Sequence, residues 1–288
     1  MSEFWEQLRI FWPYLLLAIY VAAGLPAAVH AILSRRDVRS SIAWVGLIWL
    51  TPLVGAILYA IFGVNRIQRT AIRLRDDTPQ PQHPQHSDET TDEALWQIYE
   101  TGHGHLATLE RLVRSLTGRA LHTGNAVAPL SGGDEAYPAM IAAIDSAEQS
   151  IALASYIFDN DAAGKMFVDA LKRAQQRGVE VRVLVDSIGA RYSWPTIIRV
   201  LSREGITVAR FMPSISPSMI RFFNLRNHRK LLIVDGKIGF TGGMNIRQGC
   251  MLSHNARHPV ADHHFRIEGP AVADLQHAFS VDWAFTTD

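Results

Sequence analysis

The stretch RNHRKLLIVDGKIGFTGGMN, Arg226–Asn245, decides the reading of the whole chain. Leu231–Val234 is an apolar run closed by Asp235-Gly236, which reads as a buried strand turning through a hairpin into a return strand from Ile238. In an extended segment alternate residues face one side, so His228 and Lys230 project together and Arg229 turns away. An imidazole beside an ammonium, followed by a Gly242-Gly243 turn that carries an amide, suits a phosphate. Lys230, Asn245 and Gly243 are the expected phosphate-binding residues, and His228 attacks phosphorus or shuttles a proton. Asp235 completes the catalytic string but stands at the strand end, where its carboxylate is expected to hold the surrounding loop rather than substrate. The scheme needs neither a metal nor an organic cofactor.

Outward from this stretch, strands alternate with helices. Apolar runs at 151–158, 181–185, 206–212 and 230–234 are separated by helical patterns near 161–177 and 194–204, with Gly178 and Gly205 as the stops. A strand HHFRIE and a helix from Pro270 to about Phe285 finish the chain. The pattern predicts an α/β lobe over residues 94–288, with a mixed, largely parallel sheet flanked by helices. Leu95, Ile98, Leu106, Leu109, Leu112, Val113 and Leu116 follow helical spacing ahead of it, interrupted by Gly102 and Gly104. The single Cys250 has no disulfide partner and reads as a buried small hydrophobe.

The N-terminal quarter has a different character. Ile10–Leu33 is twenty-four residues without Asp, Glu, Lys or Arg, and Ile42–Phe62 is twenty-one more, so residues 1–75 are expected to form a two-helix transmembrane hairpin with a basic flank. Glu3 and Glu6 at the start, and the immediate second apolar span, argue against a cleaved signal peptide. Arg9, Arg66, Arg69, Arg73 and Arg75 flank the pair against Arg35, Arg36 and Arg39 in its loop, which places both termini in the cytoplasm. Residues 76–93, DDTPQPQHPQHSDETTDE, lack any large apolar side chain and are expected to be a disordered tether; His83 and His86 within it are not read as metal ligands. Residues 1–75 hold eight Arg and three acids, leaving twenty Lys and Arg against twenty-four acids in the remainder. A near-neutral remainder lacks the bulk positive charge of a nucleic-acid binder, so no nucleic-acid partner is expected.

HxKxxxxD, six further residues and GGxN resemble the motif of the phospholipase D superfamily in order and spacing. The hairpin SRRDVRSSIAWVGLIWLTPLVGAILYAIFG (34–63) looks like the membrane segment of bacterial cardiolipin synthases. So do TGNAV (123–127), YIFDND (156–161), GVEVRVLVDSIG (178–189) and FRIEGPAV (265–272). The resemblance implies a phospholipase D-like fold in the bacterial inner membrane, catalytic lobe toward the cytoplasm. It implies metal-free transfer of a phosphatidyl group between phosphatidylglycerol molecules through a covalent phosphohistidine, with anionic membrane lipids as partners. On this sequence His228 is then a catalytic histidine, Lys230 and Asn245 hold phosphate, and Asp235 is structural. A downstream carboxylate is expected to orient the neutral imidazole, with Asp262 the candidate and Glu268 the alternative. Asp262-His263-His264 is not read as a metal cluster, because strand alternation separates neighbouring side chains. Arg221, Arg226 and Arg229 form a basic patch that could draw in headgroups.

Single-chain enzymes of this kind carry the motif twice, in two facing lobes, and this chain carries it once. A homodimer, a missing C-terminal half or a loss of catalysis would each account for that. A single-motif dimeric phosphodiesterase or nuclease, and a catalytically incomplete lipid-binding half, stand as the competing functions.

Overall fold

The computed structural model describes residues 2–34, 37–63, 97, 99–117, 121–212, 226–254, 256 and 258–287. These fall into two compact units, one in the N-terminal apolar region and one in the remainder. The expected tether, 76–93, and Arg221 lie outside the described residues.

The first unit contains α1 (Ser2–Ser34), α2 (Val38–Leu50) and α3 (Pro52–Leu58), the last continuing into a wider turn at Tyr59–Gly63. Within α1, Phe11–Ser34 is long and apolar enough to cross a bilayer. The second expected crossing, Ile42–Phe62, is not one helix but two pieces meeting at Thr51. Pro52 has no N–H to continue the ladder and sits instead at the first position of a new helix, so the second apolar run is interrupted there. Ala28, Ala31, Ile48 and Tyr59 form a small buried cluster, and the Tyr59 hydroxyl lies 2.8 Å from His30 Nδ1. Trp49, Leu50, Val54, Ile57 and Phe62 remain outward, an apolar exterior suited to lipid.

The second unit begins with α4 (Leu106–Thr117) and then builds one sheet: β1 (Ala126–Ser131), β2 (Ser150–Ser155), β3 (Glu180–Asp186), β4 (Thr207–Phe211), β5 (Leu231–Val234), β6 (Ile238–Gly242) and β7 (His263–Glu268). Its helices are α5 (Gly132–Asp145), α6 (Ala162–Gln176), α7 (Ile197–Arg203) and α8 (Ala271–Thr287). Strand order is β1-β7-β6-β5-β2-β3-β4. The sheet is mixed, as the sequence predicts, but the expectation of a largely parallel one is corrected. Only β2–β3 and β3–β4 are parallel, and the other four pairings are antiparallel. Helical crossovers make β2–β4 parallel, whereas the Asp235-Gly236 hairpin starts an antiparallel run through β6 and β7 to β1. Asp235 itself takes a left-handed φ of 52° in that turn.

Burial explains why these strands read as unbroken apolar runs. Ile151, Leu153, Val183, Val185, Leu232, Val234 and Phe240 join the main core with Tyr137 and Ile144 of α5 and Phe167 and Leu171 of α6. Their alternates Ala152, Ala154, Leu184, Leu231 and Ile233 are buried too, with α8 packed on β2 and β5. Helix α6 is capped by Asp161, which accepts from the Gly164 N–H, and buries Phe167, Val168, Leu171 and Ala174 along one face.

Candidate active site

The site lies where β2 and β3 end and β5 begins, the carboxyl ends of the parallel strands. Two consecutive residues beyond β2 tie it together. The Tyr156 ring stacks on the His228 imidazole with centroids 4.0 Å apart, and Lys230 Nζ stands 5.4 Å from the centre of the same ring. Next in the chain, the Ile157 N–H donates to Asn245 Oδ1 at 3.0 Å. His228, Lys230 and Asn245 are thus gathered on one short segment, Tyr156-Ile157.

Each arm is pinned from behind. Ahead of His228, the Asn227 N–H donates to Asp186 Oδ2 at 3.1 Å and the Asn227 side chain to Asp282 Oδ2 at 2.9 Å. Asp186, at the end of β3, is fully buried and also accepts from the Ile188 N–H. Arg226 donates to the Ser187 hydroxyl, and Arg229 bonds Asp282 and the Ala278 carbonyl. Arg229 does turn away from His228 and Lys230, and both Arg226 and Arg229 bond groups of the lobe itself. On the other arm, the buried Tyr137 hydroxyl donates to the Asn245 carbonyl at 2.6 Å, and residues 157–159 pair with Ile246 through backbone bonds of 3.1 and 2.9 Å. With Oδ1 committed to Ile157, the Asn245 amide presents its NH₂ as the remaining donor, the polarity a phosphate oxygen requires.

Lys230 Nζ donates to the His228 carbonyl at 2.6 Å, which folds the ammonium back beside the imidazole. Burial pushes its pKa below the ordinary lysine value, and the Asp262 carboxylate pulls it partly back.

Asp235 keeps the loop-holding role expected of it, while the roles expected of Gly243 and of the orienting carboxylate change. Asp235 lies beyond the opposite end of β5, about 13 Å of strand away at roughly 3.3 Å per residue. Its carboxylate accepts the N–H groups of Glu148, Gln149 and Ser150 at 2.8–2.9 Å, so it staples the start of β2 and does not belong with the catalytic atoms. Burial raises its pKa, but those three donors more than offset the effect and leave it below the usual carboxylate value. Gly243 was expected to bind phosphate, yet its N–H donates to the His263 carbonyl at 3.2 Å. What the site needs there is the missing side chain, because a Cβ on Gly243 would collide with the Asp262 carboxylate. Asp262 sits against that glycine, its Oδ1 accepting from the His263 N–H at 2.7 Å; among the described residues it makes no hydrogen bond to His228. Glu268, the alternative orienting group, is paired with Arg266 and sits beside Ile238 at the far end of the sheet.

Sequence reasoning overlooked Tyr156 and Asp186, although both close apolar strand runs, where side chains of a strand's carboxyl end reach a site. It also gave His264 no role. Alternation separates the two histidines as expected, His263 exposed and His264 buried. Gly242 pairs with His264, and a Cβ there would press on the imidazole Nδ1, so the glycine makes room for the ring. Neither His264 nitrogen has a hydrogen-bond partner among the described residues. Burial drives its pKa down to about 4, opposed by Asp262 and assisted by Lys230.

That burial has a measurable consequence. An unfolded chain protonates this histidine near pH 6.5 and the folded chain only near 4, so its share of stability is complete above pH 6.5 and lost as pH falls between those values. The loss amounts to about 3 kcal/mol at most. Urea midpoints at pH 7 and pH 4.5 should differ less for His264→Phe than for the parent; an equal drop in both would show that His264 does not carry the acid sensitivity.

Comparison with known proteins follows the same lines. The family described as "Cardiolipin synthase, PLD-like domain" matches residues 140–283, and the family described as "Phospholipase_D-nuclease N-terminal" matches residues 22–63. Cardiolipin synthase 1 of Bacillus cereus is 30% identical over 256 residues, covering 88% of this chain and 50% of that protein. Cardiolipin synthase A of Pseudomonas aeruginosa is 32% identical over 279 residues, covering 95% of this chain and 56% of that one. Among solved structures, the phospholipase D family member Nuc of Salmonella typhimurium aligns with a TM-score of 0.44 and 22% identity, over 57% of this chain and 97% of that one. This chain therefore spans about half the length of the curated relatives it matches. The first match takes in Tyr156, Asp186, His228, Lys230, Asn245 and Asp262, and the chain belongs to the cardiolipin synthase family of phospholipase D-like proteins.

Proposed function

We propose that the chain is the membrane-anchored first lobe of a phosphatidyltransferase of cardiolipin synthase type, with phosphatidylglycerol as donor and acceptor. The observation that carries this reading is the Tyr156-Ile157 segment, which gathers an imidazole, an ammonium and an amide donor at the carboxyl end of β2. In the first step a ring nitrogen of neutral His228 attacks the donor phosphorus, and the bond from phosphorus to the departing glycerol oxygen breaks. Lys230 and Asn245 stabilise the charge that grows on the non-bridging oxygens. The leaving alkoxide takes a proton from an acid that this lobe does not supply. In the second step the hydroxyl of another phosphatidylglycerol attacks the phosphohistidine, its proton passes to the same acid-base group, and cardiolipin and free His228 result.

The acid is assigned to a second histidine, contributed by another copy of this lobe across a twofold or by a further half of a longer protein. A length of about half that of the relatives supports the need for such a partner. Phe11–Ser34, long and apolar enough to cross a bilayer, supports attachment to a bacterial inner membrane, the apolar run at 42–62 a further pass, and the arginine distribution a lobe on the cytoplasmic side.

The test is phosphatidyl transfer in phosphatidylglycerol vesicles by the purified chain, alone and mixed with a separately expressed second lobe of a relative, with oligomeric state measured in the same preparation. Cardiolipin and glycerol formed in equal amounts support the proposal. Folded protein that makes none under either condition refutes it.

A further inference from the structure

Helix α4 has an apolar face that nothing among the described residues of its unit covers. Leu106, Leu109, Leu112, Val113 and Leu116 are 39–76% exposed, and α4 packs chiefly on the Tyr99–His103 turn just before it. At about 100° per residue these five side chains fall within a sector of roughly 120°. Glu110, Arg111 and Arg114 lie outside that sector, giving the polar side a net positive charge. A helix of twelve residues is marginal in water unless its apolar stripe is buried. It is also too short to cross a bilayer. The combination is that of a helix lying in the plane of a membrane interface, leucines toward the acyl chains and arginines among anionic headgroups.

Position in the chain selects the lipid surface over a protein partner. Only residues 64–105 lie between the apolar unit and α4, so in sequence the helix follows closely on the segment that attaches the chain to a bilayer. A segment held so near a bilayer meets it at high effective concentration, so a short amphipathic stripe is enough. We propose that α4 is an interfacial anchor whose leucine face docks on the anionic leaflet and holds the catalytic lobe close to its lipid substrate. The inference rests on attachment of the chain to a bilayer, and not on transfer chemistry.

Spin labels test it without any assay of activity, since the single Cys250 is buried and introduced cysteines label selectively. The full chain is reconstituted in nanodiscs of phosphatidylglycerol and phosphatidylcholine, carrying Leu109→Cys, Leu112→Cys or Leu116→Cys on the apolar face, or Thr108→Cys, Arg111→Cys or Ser115→Cys on the polar face. The proposal predicts several-fold more collision with oxygen, and less with an aqueous nickel chelate, at the first three than at the last three. The contrast should fade when the anionic lipid is replaced by phosphatidylcholine. Exclusion of both reagents from the leucine face would mean that a second copy covers it, and equal access of the chelate to both faces would mean that nothing does; either result overturns the proposal. Retention of the protein on the nanodisc reports bilayer attachment separately.

Discussion

His228→Ala is expected to lower phosphatidyl transfer by at least about a thousandfold while shifting stability by less than about 1 kcal/mol. The two halves of that expectation have different origins. In the proposed mechanism His228 is the nucleophile, so its removal closes the covalent route. The fold is spared because the His228 ring is exposed and, among the described residues, stacks on Tyr156 alone, whereas the anchoring is done by Asn227, Asp186 and Asp282. Rates from a complemented vesicle assay and a thermal melt of the same preparation check both halves. A residual rate within tenfold of the parent would remove His228 from the chemistry.

The second large effect comes from a residue that touches no substrate. Gly189, just beyond β3, lies so close to the Tyr156 carbonyl that a Cβ there would overlap it. The obstacle is backbone, so no rotamer change relieves it. Gly189→Ala must either push Tyr156 off the His228 ring or tear the Asp186–Gly189 turn, in which the Asp186 carboxylate accepts from the Ile188 N–H at 2.9 Å. A stability loss of about 3 kcal/mol or more is expected, together with loss of transfer in whatever protein remains folded. Denaturant unfolding and the vesicle assay measure the two. Gly236→Ala serves as the comparison, since a Cβ there meets nothing and only its φ of 65° is strained. Gly189→Ala no worse than Gly236→Ala would show that the close approach to Tyr156 is not needed.

Much of this arrangement was legible in the sequence because it rests on local rules. Period-two alternation put His228 and Lys230 on one side and Arg229 on the other, and the observed partners of each agree. HHFRIE became β7 residue for residue, and Ala162–Gln176 lies within the helix read at 161–177. What could not be read depends on where distant backbone goes. Three N–H groups at Glu148–Ser150 draw Asp235 to the far end of the sheet, and no feature of the motif signals that they will be there. Gly243 looked like a phosphate cradle, but the Asp262 carboxylate, brought in by β7, occupies the space beside it. Beyond the β5–β6 hairpin, the antiparallel pairings of β7, β1 and β2 were missed for the same reason, since pairing direction there is a tertiary choice. Pro52 was visible throughout; apolarity alone does not say whether a membrane-facing run tolerates a proline or breaks at it.

The most direct test of the account asks whether this lobe forms a covalent bond from His228 to phosphorus. A phosphodiester with a nitrophenolate leaving group suits the purpose, because that group departs without a proton and so bypasses the acid assigned to a second lobe. The purified chain would be mixed with bis(p-nitrophenyl) phosphate, quenched within the first turnover and digested for mass spectrometry under conditions that preserve phosphoramidates. The account predicts a nitrophenyl-phosphate adduct on the peptide containing His228, accompanied by a burst of nitrophenolate, both absent from His228→Ala. Nitrophenolate release without an adduct, or an adduct on another histidine, would contradict it.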